Sequence, residues 1–189
     1  MNVLEEAIIF ATEAHSGQTR KMSSIPYILH PLEVASIIST MTEDLDVMAA
    51  GVLHDTIEDC NVPAEEIRNK FGSRVYALVM TETEDKMVAL SPEDTWVTRK
   101  EDSLLVLSAT KDRDAKILWL GDKLSNMRSF YRTYLEIGDE MWNHLHMKDP
   151  SMHKWYYQSI ADILKPDLGE TIAYQEYVEL LGKLFLEEE

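Results

Sequence analysis

The sequence is poor in the residues that build disulfide-stabilised, loop-rich or membrane proteins. Its single cysteine, Cys60, excludes an internal disulfide framework and a multi-cysteine zinc site. Only seven of its 189 residues are glycine, which fits a helical bundle better than a fold rich in loops. No apolar run approaches the length of about 20 residues that spans a bilayer, and the acidic N-terminus lacks the basic region of a signal peptide. These absences predict a cytoplasmic protein that does not associate with membranes.

Basic residues are also scarce. The chain has 18 lysines and arginines but 34 aspartates and glutamates, which gives a formal net charge of −16. This balance argues against long nucleic acid as a partner, since binding it relies on basic patches that neutralise phosphates. A small phosphorylated ligand stays compatible with the charge, because a local group of cations or a bound metal reverses the field inside one cleft. The sequence predicts no particular oligomeric state.

The hydropathy pattern indicates an all-α fold in one domain over residues 1–189. Hydrophobic residues make up 45% of the chain, and they recur at helical rather than two-residue spacing. We expect a first helix from Val3 to about His15, a second that starts near Pro31, and a third capped by Asp44 or Asp46. A break is expected at residues 71–73, another start at Ser91, and further helices over residues 115–128, 136–146, 151–164 and 170–186.

The densest chemistry lies in residues 53–60, directly after an apolar stretch. One histidine and three carboxylates fall within six residues there: His54, Asp55, Glu58 and Asp59. On a continuous helix, His54 and Glu58 share one face, as do Asp55 and Asp59. Buried carboxylates are costly unless they are paired or bind a metal, so this segment is a candidate metal site.

Two residues elsewhere complete a mixed set of nitrogen and oxygen ligands. His30 precedes Pro31, and Asp122 follows the apolar residues 117–120. Together with His54 and Asp55 they would suit Mn²⁺, Fe²⁺ or Zn²⁺ with open water positions, and a metal-bound water is a nucleophile near neutral pH. Taken singly, each residue also fits a structural role, as a cap, a packed histidine or a salt-bridged acid.

The chain resembles the HD-domain metal-dependent phosphohydrolases, and within them the hydrolase domain of the RelA/SpoT family. The small single-domain alarmone hydrolases are the most similar in size. The motifs that carry the resemblance occur in the family's order within residues 1 to about 165, as HSGQTRK, PYILHPLEVA, LHDTIED, FG and GDKLSNMR.

This resemblance implies Mn²⁺-dependent hydrolysis of guanosine 3′,5′-bis(diphosphate) and its 5′-triphosphate form, with release of pyrophosphate from the 3′ position. It implies that the metal ligands are His30, His54, Asp55 and Asp122. It implies a catalytic pair, Glu58 and Asp59, that orients and deprotonates the attacking water.

The resemblance also implies substrate contacts. Those to base and ribose fall on Arg20, Lys21, Ser23 and Asn126. Those near the leaving pyrophosphate fall on Lys154 and Tyr156, with Tyr157 also plausible by position and Arg99 and Lys100 as alternatives.

The chain departs from the family pattern in several places, of which one is a minor change and another leaves the substrate open. Gly121 stands where the family usually has alanine, and Trp96 stands near a position where the small hydrolases tend to carry a phosphate-binding lysine. The second departure leaves room for a different phosphorylated nucleotide as substrate. A non-catalytic metal- or nucleotide-binding sensor, and a helical bundle with a structural metal, are the remaining alternatives.

Overall fold

The protein is described by a computed structural model over residues 1–20, 23–84 and 91–185. Its α-helices are α1 Val3–Ala14, α2 Leu29–Ile38, α3 Leu45–Leu53, α4 Thr56–Cys60, α5 Ala64–Glu82, α6 Pro92–Ala109, α7 Arg113–Ile137, α8 Pro150–Leu168 and α9 Ile172–Leu184. A 3₁₀ helix, Gly138–His144, joins α7 to α8. Over these residues no strand forms beyond an isolated bridge between Thr19 and Pro26. The predicted all-α fold class is confirmed.

Several helix ends follow from short polar side chains and glycine. Asp44 accepts a 2.9 Å hydrogen bond from the amide of Asp46, so the first of the two expected residues caps α3. Ser91 accepts a 3.1 Å hydrogen bond from the amide of Asp94 and caps the start of α6. The expected break near residue 72 is a kink inside α5, where Gly72 has a φ of 89°. That positive φ is cheap only for glycine.

The long helix α7 differs from its prediction. It continues past residue 128 because Phe130 and Tyr134 extend its apolar stripe at helical spacing and pack against the core. It ends at Gly138, whose φ of 60° terminates the α-helical hydrogen bonds. The α-helix expected over residues 136–146 is therefore replaced by the last turn of α7 and the 3₁₀ helix.

Helix α7 is the central element of the core, in contact with α2, α3, α5, α8 and α9. Helix α2 approaches α3 and α7 closely because glycines face Ile38 on both. A Cβ atom placed on Gly51 would lie 2.5 Å from Cδ1 of Ile38, and one on Gly121 would lie 2.9 Å from its Cγ1. This packing brings the start of α2 beside the end of α3 and the middle of α7.

None of the helices in the described part of the chain combines the length and apolar character needed to cross a membrane.

Candidate active site

Two imidazoles and two carboxylates from separate elements meet at one buried point. His30 lies in the first turn of α2, His54 follows α3, Asp55 precedes α4, and Asp122 lies within α7. The Nε2 atom of His30 is 3.1 Å from Oδ1 of Asp122 and 3.5 Å from Oδ2 of Asp55. The Nε2 atom of His54 is 3.4 Å and 3.0 Å from the same two oxygens. The structure thus brings together all four residues predicted as metal ligands.

The local backbone explains how His54 and Asp55 reach this point. Helix α3 ends at Leu53, and Asp55 (φ −92°, ψ −6°) breaks the helix before α4 begins. The hydroxyl of Thr56 donates to the carbonyl of Leu53 at 2.7 Å and closes the break. Residues 54–59 therefore do not form one continuous helix, and Glu58 and Asp59 lie on a separate short helix.

The outer ring nitrogens of both histidines are engaged, which turns the inner nitrogens towards the carboxylates. Nδ1 of His54 lies 2.8 Å from the carbonyl oxygen of Gly51, and Nδ1 of His30 lies 2.9 Å from Oγ of Ser125. Nε2 of His54 is buried and forms no hydrogen bond of regular geometry with the described residues, although Oδ2 of Asp55 lies 3.0 Å away. Histidines that bind a divalent cation usually have this arrangement, in which one ring nitrogen is hydrogen-bonded away from the centre and the other faces it. The side chains of His30, His54 and Asp122 can hold such an ion.

A buried lysine shapes the charge of the centre. Nζ of Lys123 lies 2.5 Å from Oδ2 of Asp122 and 3.1 Å from Oε2 of Glu82. Burial opposes ionisation of Asp122, but the ammonium of Lys123 and the imidazoles outweigh it and lower the pKa of Asp122 well below its ordinary value. The amide of Asn126 donates to Oδ1 of Asp122 at 2.7 Å. Asp122 is thus held as an oriented carboxylate.

Glu82 is the opposite case, a buried acid that is only partly compensated. Burial raises its pKa from 4.5 to about 7, against the attraction of Lys123. Its Oε1 atom is buried without a hydrogen-bond partner in the described part of the chain. Glu82 lines the same cleft as Asp122, and it is not predictable as a site residue because nothing in its local sequence marks the end of α5 as buried.

A cleft with a volume of about 440 Å³ opens over the centre. This volume lies within the range of about 300–1,000 Å³ that is typical of small-molecule sites. Seven of the residues predicted to act on metal, water or substrate line it: Arg20, His30, Asp55, Glu58, Asp59, Asp122 and Asn126.

Three of the predicted substrate contacts do not line the cleft. Ser23 is exposed, Tyr156 is buried, and neither of them nor Lys154 lines the cleft. Tyr157, next to Tyr156, does line it, because one step along α8 turns the side chain by about 100°. Lys21 lies outside the described residues.

Helix α6 contributes cations to the cleft and a carboxylate holds them. Arg99 and Lys100, the predicted alternatives, line the cleft and bind Glu84 at 2.9 and 2.7 Å. The hydroxyl of Ser103 also donates to Glu84, at 2.8 Å. Trp96 is only 6% exposed and forms part of the cleft wall one turn before these cations. The positive charge on α6 therefore lies at residues 99 and 100.

Curated relatives match the chain at moderate identity. One relative is a zebrafish (Danio rerio) protein named guanosine-3′,5′-bis(diphosphate) 3′-pyrophosphohydrolase MESH1. It is 31% identical to this chain over 188 residues, which cover 98% of this chain and 93% of the relative. A Vibrio cholerae protein named guanosine-3′,5′-bis(diphosphate) 3′-pyrophosphohydrolase is 37% identical over 130 residues. The match covers 68% of this chain but spans only 18% of the length of the Vibrio protein.

Solved structures share the fold. A metazoan SpoT orthologue, described as hydrolysing ppGpp, superposes with a TM-score of 0.77 over 99% of this chain and 98% of its own, at 22% identity. The Listeria monocytogenes protein lmo0812 superposes with a TM-score of 0.72 over 84% of this chain and 99% of its own, at 29% identity. Residues 7–141, which include all four predicted metal ligands, match the model of the HD domain. The chain therefore belongs to the HD-domain family.

Proposed function

We propose that this protein is a divalent-metal-dependent phosphohydrolase that removes pyrophosphate from the 3′ position of ppGpp and pppGpp. The observation that carries the proposal is the buried His30, His54 and Asp122 group at the base of a cleft that also holds an acid pair and several cations. The full-length similarity to a relative named as a ppGpp 3′-pyrophosphohydrolase supports the choice of substrate. We propose that residues 1–189 act as one HD domain and that Mn²⁺ is the preferred ion.

The ligand side chains would be His30, His54, Asp55 and Asp122. A divalent cation bound there supplies Lewis acidity, which lowers the pKa of a water and polarises a phosphoryl oxygen. The chain's own contribution is to fix the ligands: Tyr27 donates to Oδ2 of Asp55 at 2.6 Å, and Asn126 donates to Oδ1 of Asp122. Ligands held in this way bind the ion without reorganising.

Glu58 and Asp59 are the residues proposed to handle the proton of the attacking water. Both line the cleft on α4, directly after Asp55. Oε2 of Glu58 accepts a 3.3 Å hydrogen bond from the amide of Glu84, which restrains this carboxylate at the cleft. Hydrolysis forms a bond between the water oxygen and the phosphorus next to O3′ and breaks the bond from that phosphorus to O3′. The water proton passes to the acid pair, O3′ gains a proton, and GDP and pyrophosphate leave when ppGpp is the substrate.

The remaining cleft residues suit a nucleotide with phosphates at both ends. Arg20 lies 5.7 Å from the ring centre of Tyr27, close to the metal centre, and a planar guanidinium can stack on a purine. Arg99 and Lys100 supply positive charge for phosphates on the α6 side of the cleft. A small-molecule nucleotide is thus the proposed partner, and a cytoplasmic location stays a prediction.

The test is release of pyrophosphate from ppGpp by the purified protein, with Mn²⁺, with Mg²⁺ or Zn²⁺, and with a chelator. We expect GDP and pyrophosphate to form in equal amounts, fastest with Mn²⁺ and not at all with chelator. Equal rates with the three ions would overturn the preference for Mn²⁺. Absence of turnover with every ion would overturn the activity.

A second candidate keeps the metal centre and changes the nucleotide. Glu84 favours this second candidate, because its carboxylate already accepts hydrogen bonds from Arg99, Lys100 and Ser103. A substrate phosphate on that side must compete with Glu84, so a nucleotide with fewer phosphates there would meet less competition. A panel of other 3′- and 5′-phosphorylated nucleotides, assayed beside ppGpp, separates the two candidates.

A further inference from the structure

The outer nitrogen of His30 is the start of a side-chain network that leaves the metal centre. Nδ1 of His30 lies 2.9 Å from Oγ of Ser125, and Oγ of Ser125 lies 2.7 Å from Oε2 of Glu33. The serine hydroxyl has one proton, which it donates to the carboxylate of Glu33. Ser125 therefore accepts the Nδ1 proton of His30, and this fixes the tautomer whose Nε2 lone pair faces the centre.

The network continues to the last helix of the fold. Nη1 of Arg128 donates to Oε1 of Glu33 at 3.2 Å. The same guanidinium makes a bidentate pair with Glu176 on α9, through Nε at 2.6 Å and Nη2 at 2.7 Å. Bidentate pairs of this kind fix orientation as well as charge. The orientation of Glu33 is thus tied to α9, which lies beyond the HD-domain match that ends at residue 141.

The two histidines differ in what orients them. Nδ1 of His54 faces the backbone carbonyl of Gly51 in α3, the helix that directly precedes it, so side-chain changes elsewhere leave that contact in place. His30 depends on side chains from α2, α7 and α9. Ser125 is fully buried, so water cannot replace its hydroxyl without rearrangement.

We propose that Ser125 and Glu33 are positioning residues for His30, and that the Arg128–Glu176 pair makes α9 part of the metal centre. The inference rests on the metal centre of the proposed function and is independent of its substrate. Partners of ligand histidines typically change metal affinity by about 10–100-fold when they are removed. We expect changes on this scale near His30 and smaller ones at the far end of the network.

The test is titration of the metal-free protein with Mn²⁺ by calorimetry. We expect Ser125→Ala to weaken binding by about 10–100-fold, and Ser125→Thr, which keeps the hydroxyl, to restore most of the affinity. Glu33→Gln should weaken binding similarly, and it carries the test if Ser125→Ala does not fold. Glu176→Gln should weaken binding several-fold. The matched control is Glu179→Gln on the same helix, whose partner is the exposed Lys183.

Two further readouts separate positioning from a general structural role. A Glu33→Gln, Glu176→Gln double variant should bind no more weakly than Glu33→Gln alone, because Glu176 acts through Glu33. The melting temperatures of the metal-free variants should not correlate with their losses of Mn²⁺ affinity.

The outcomes distinguish this inference from the function on which it rests. Wild-type affinity in both Ser125→Ala and Glu33→Gln would overturn the positioning role. Equal affinity in Glu176→Gln and Glu179→Gln would overturn the role of α9. A wild-type protein that binds no Mn²⁺ would overturn the metal centre and this inference together, whereas one that binds Mn²⁺ without hydrolysing ppGpp overturns only the proposed substrate.

Discussion

Tyr27 donates a 2.6 Å hydrogen bond to Oδ2 of Asp55, the oxygen that faces Nε2 of both His30 and His54. The tyrosine ring also meets the His30 imidazole edge-on, with the ring centres 5.6 Å apart. One side chain therefore supports two of the proposed ligands, one through its hydroxyl and the other through its ring. The sequence motif that contains Tyr27 does not by itself predict a role for this residue.

Replacing Tyr27 by phenylalanine separates these two contacts. The ring remains, but Asp55 loses the donor that orients its carboxylate, so we expect Mn²⁺ affinity to fall by about tenfold. Calorimetric titration measures the change. Tyr76→Phe on α5, away from the cleft, is the matched control. Unchanged affinity in Tyr27→Phe would show that the hydroxyl does not orient the ligand.

Removing a ligand should remove the metal and the activity together. We expect His54→Ala and Asp122→Ala to lose bound Mn²⁺ and ppGpp hydrolysis, because each deletes a donor at the buried centre. Metal content after dialysis, measured by inductively coupled plasma mass spectrometry, checks the first effect. His144→Ala and Asp162→Ala, at exposed positions, are the controls. Full metal content in either ligand variant contradicts the assignment.

The acid pair on α4 is expected to act on the water and not to hold the ion. Glu58→Gln should therefore keep Mn²⁺ and lose about two or more orders of magnitude in kcat, the scale of general acid–base groups. Single-turnover hydrolysis of ppGpp by the metal-loaded variant measures this loss. Glu65→Gln, at an exposed position on α5, is the control. A rate near that of the wild type would remove Glu58 from the mechanism.

Glu82 should make stability depend on pH. Its pKa is raised from 4.5 to about 7 in the folded state, so over this interval the folded protein holds a proton that the unfolded chain has released. The free energy of unfolding therefore falls as pH rises from 4.5 to 7, by about 3 kcal/mol from this group alone. Urea unfolding across the interval measures the slope. Glu82→Gln should flatten it, and a slope equal to that of the wild type would contradict the assignment.

The close contact of α2 with α3 predicts that a single methyl group destabilises the protein. In Gly51→Ala the new Cβ meets Cδ1 of Ile38 at 2.5 Å. Ile38 is fully buried and has little room to move aside, so the overpacking cost should lie in the upper part of its range of about 1–3 kcal/mol and outweigh the helix-propensity gain of about 1 kcal/mol. We expect a net loss in urea unfolding that disappears in an Ile38→Val background, which lacks Cδ1. Gly182→Ala, with open space around the new Cβ, should stabilise α9 instead.

Much of the fold follows from local signals in the sequence. The cap at Asp44, the start at Ser91 and the break at Gly72 were predictable because short polar side chains and glycine act on their own backbone. The length of α7 was not predictable in the same way. Its extension depends on Phe130 and Tyr134 packing against a core built from distant elements.

The candidate site shows the same contrast between residues that local sequence predicts and residues that depend on tertiary packing. The order of the sequence motifs pointed to the proposed metal ligands and the proposed acid pair, since those residues stand in recognisable local contexts. Glu82 and Lys123 escaped notice because their burial arises only when α5 and α7 pack together, and burial cannot be read from a charged residue in isolation. The predicted substrate contact Tyr156 differs from the cleft-lining Tyr157 by one position, and sequence alone does not set the phase of a helix that finely.

The proposed ligands also link metal loading to folding. His30 contacts Ser125 across 95 positions of the chain, and Asp122 reaches the two histidines only when α7 has docked. The unfolded chain keeps only the adjacent pair, His54 and Asp55, near each other. A cation that needs all the ligands binds the native state preferentially and stabilises it by mass action. A bound cation is therefore expected only in molecules in which α2, α3 and α7 have assembled, and added Mn²⁺ should raise the melting temperature.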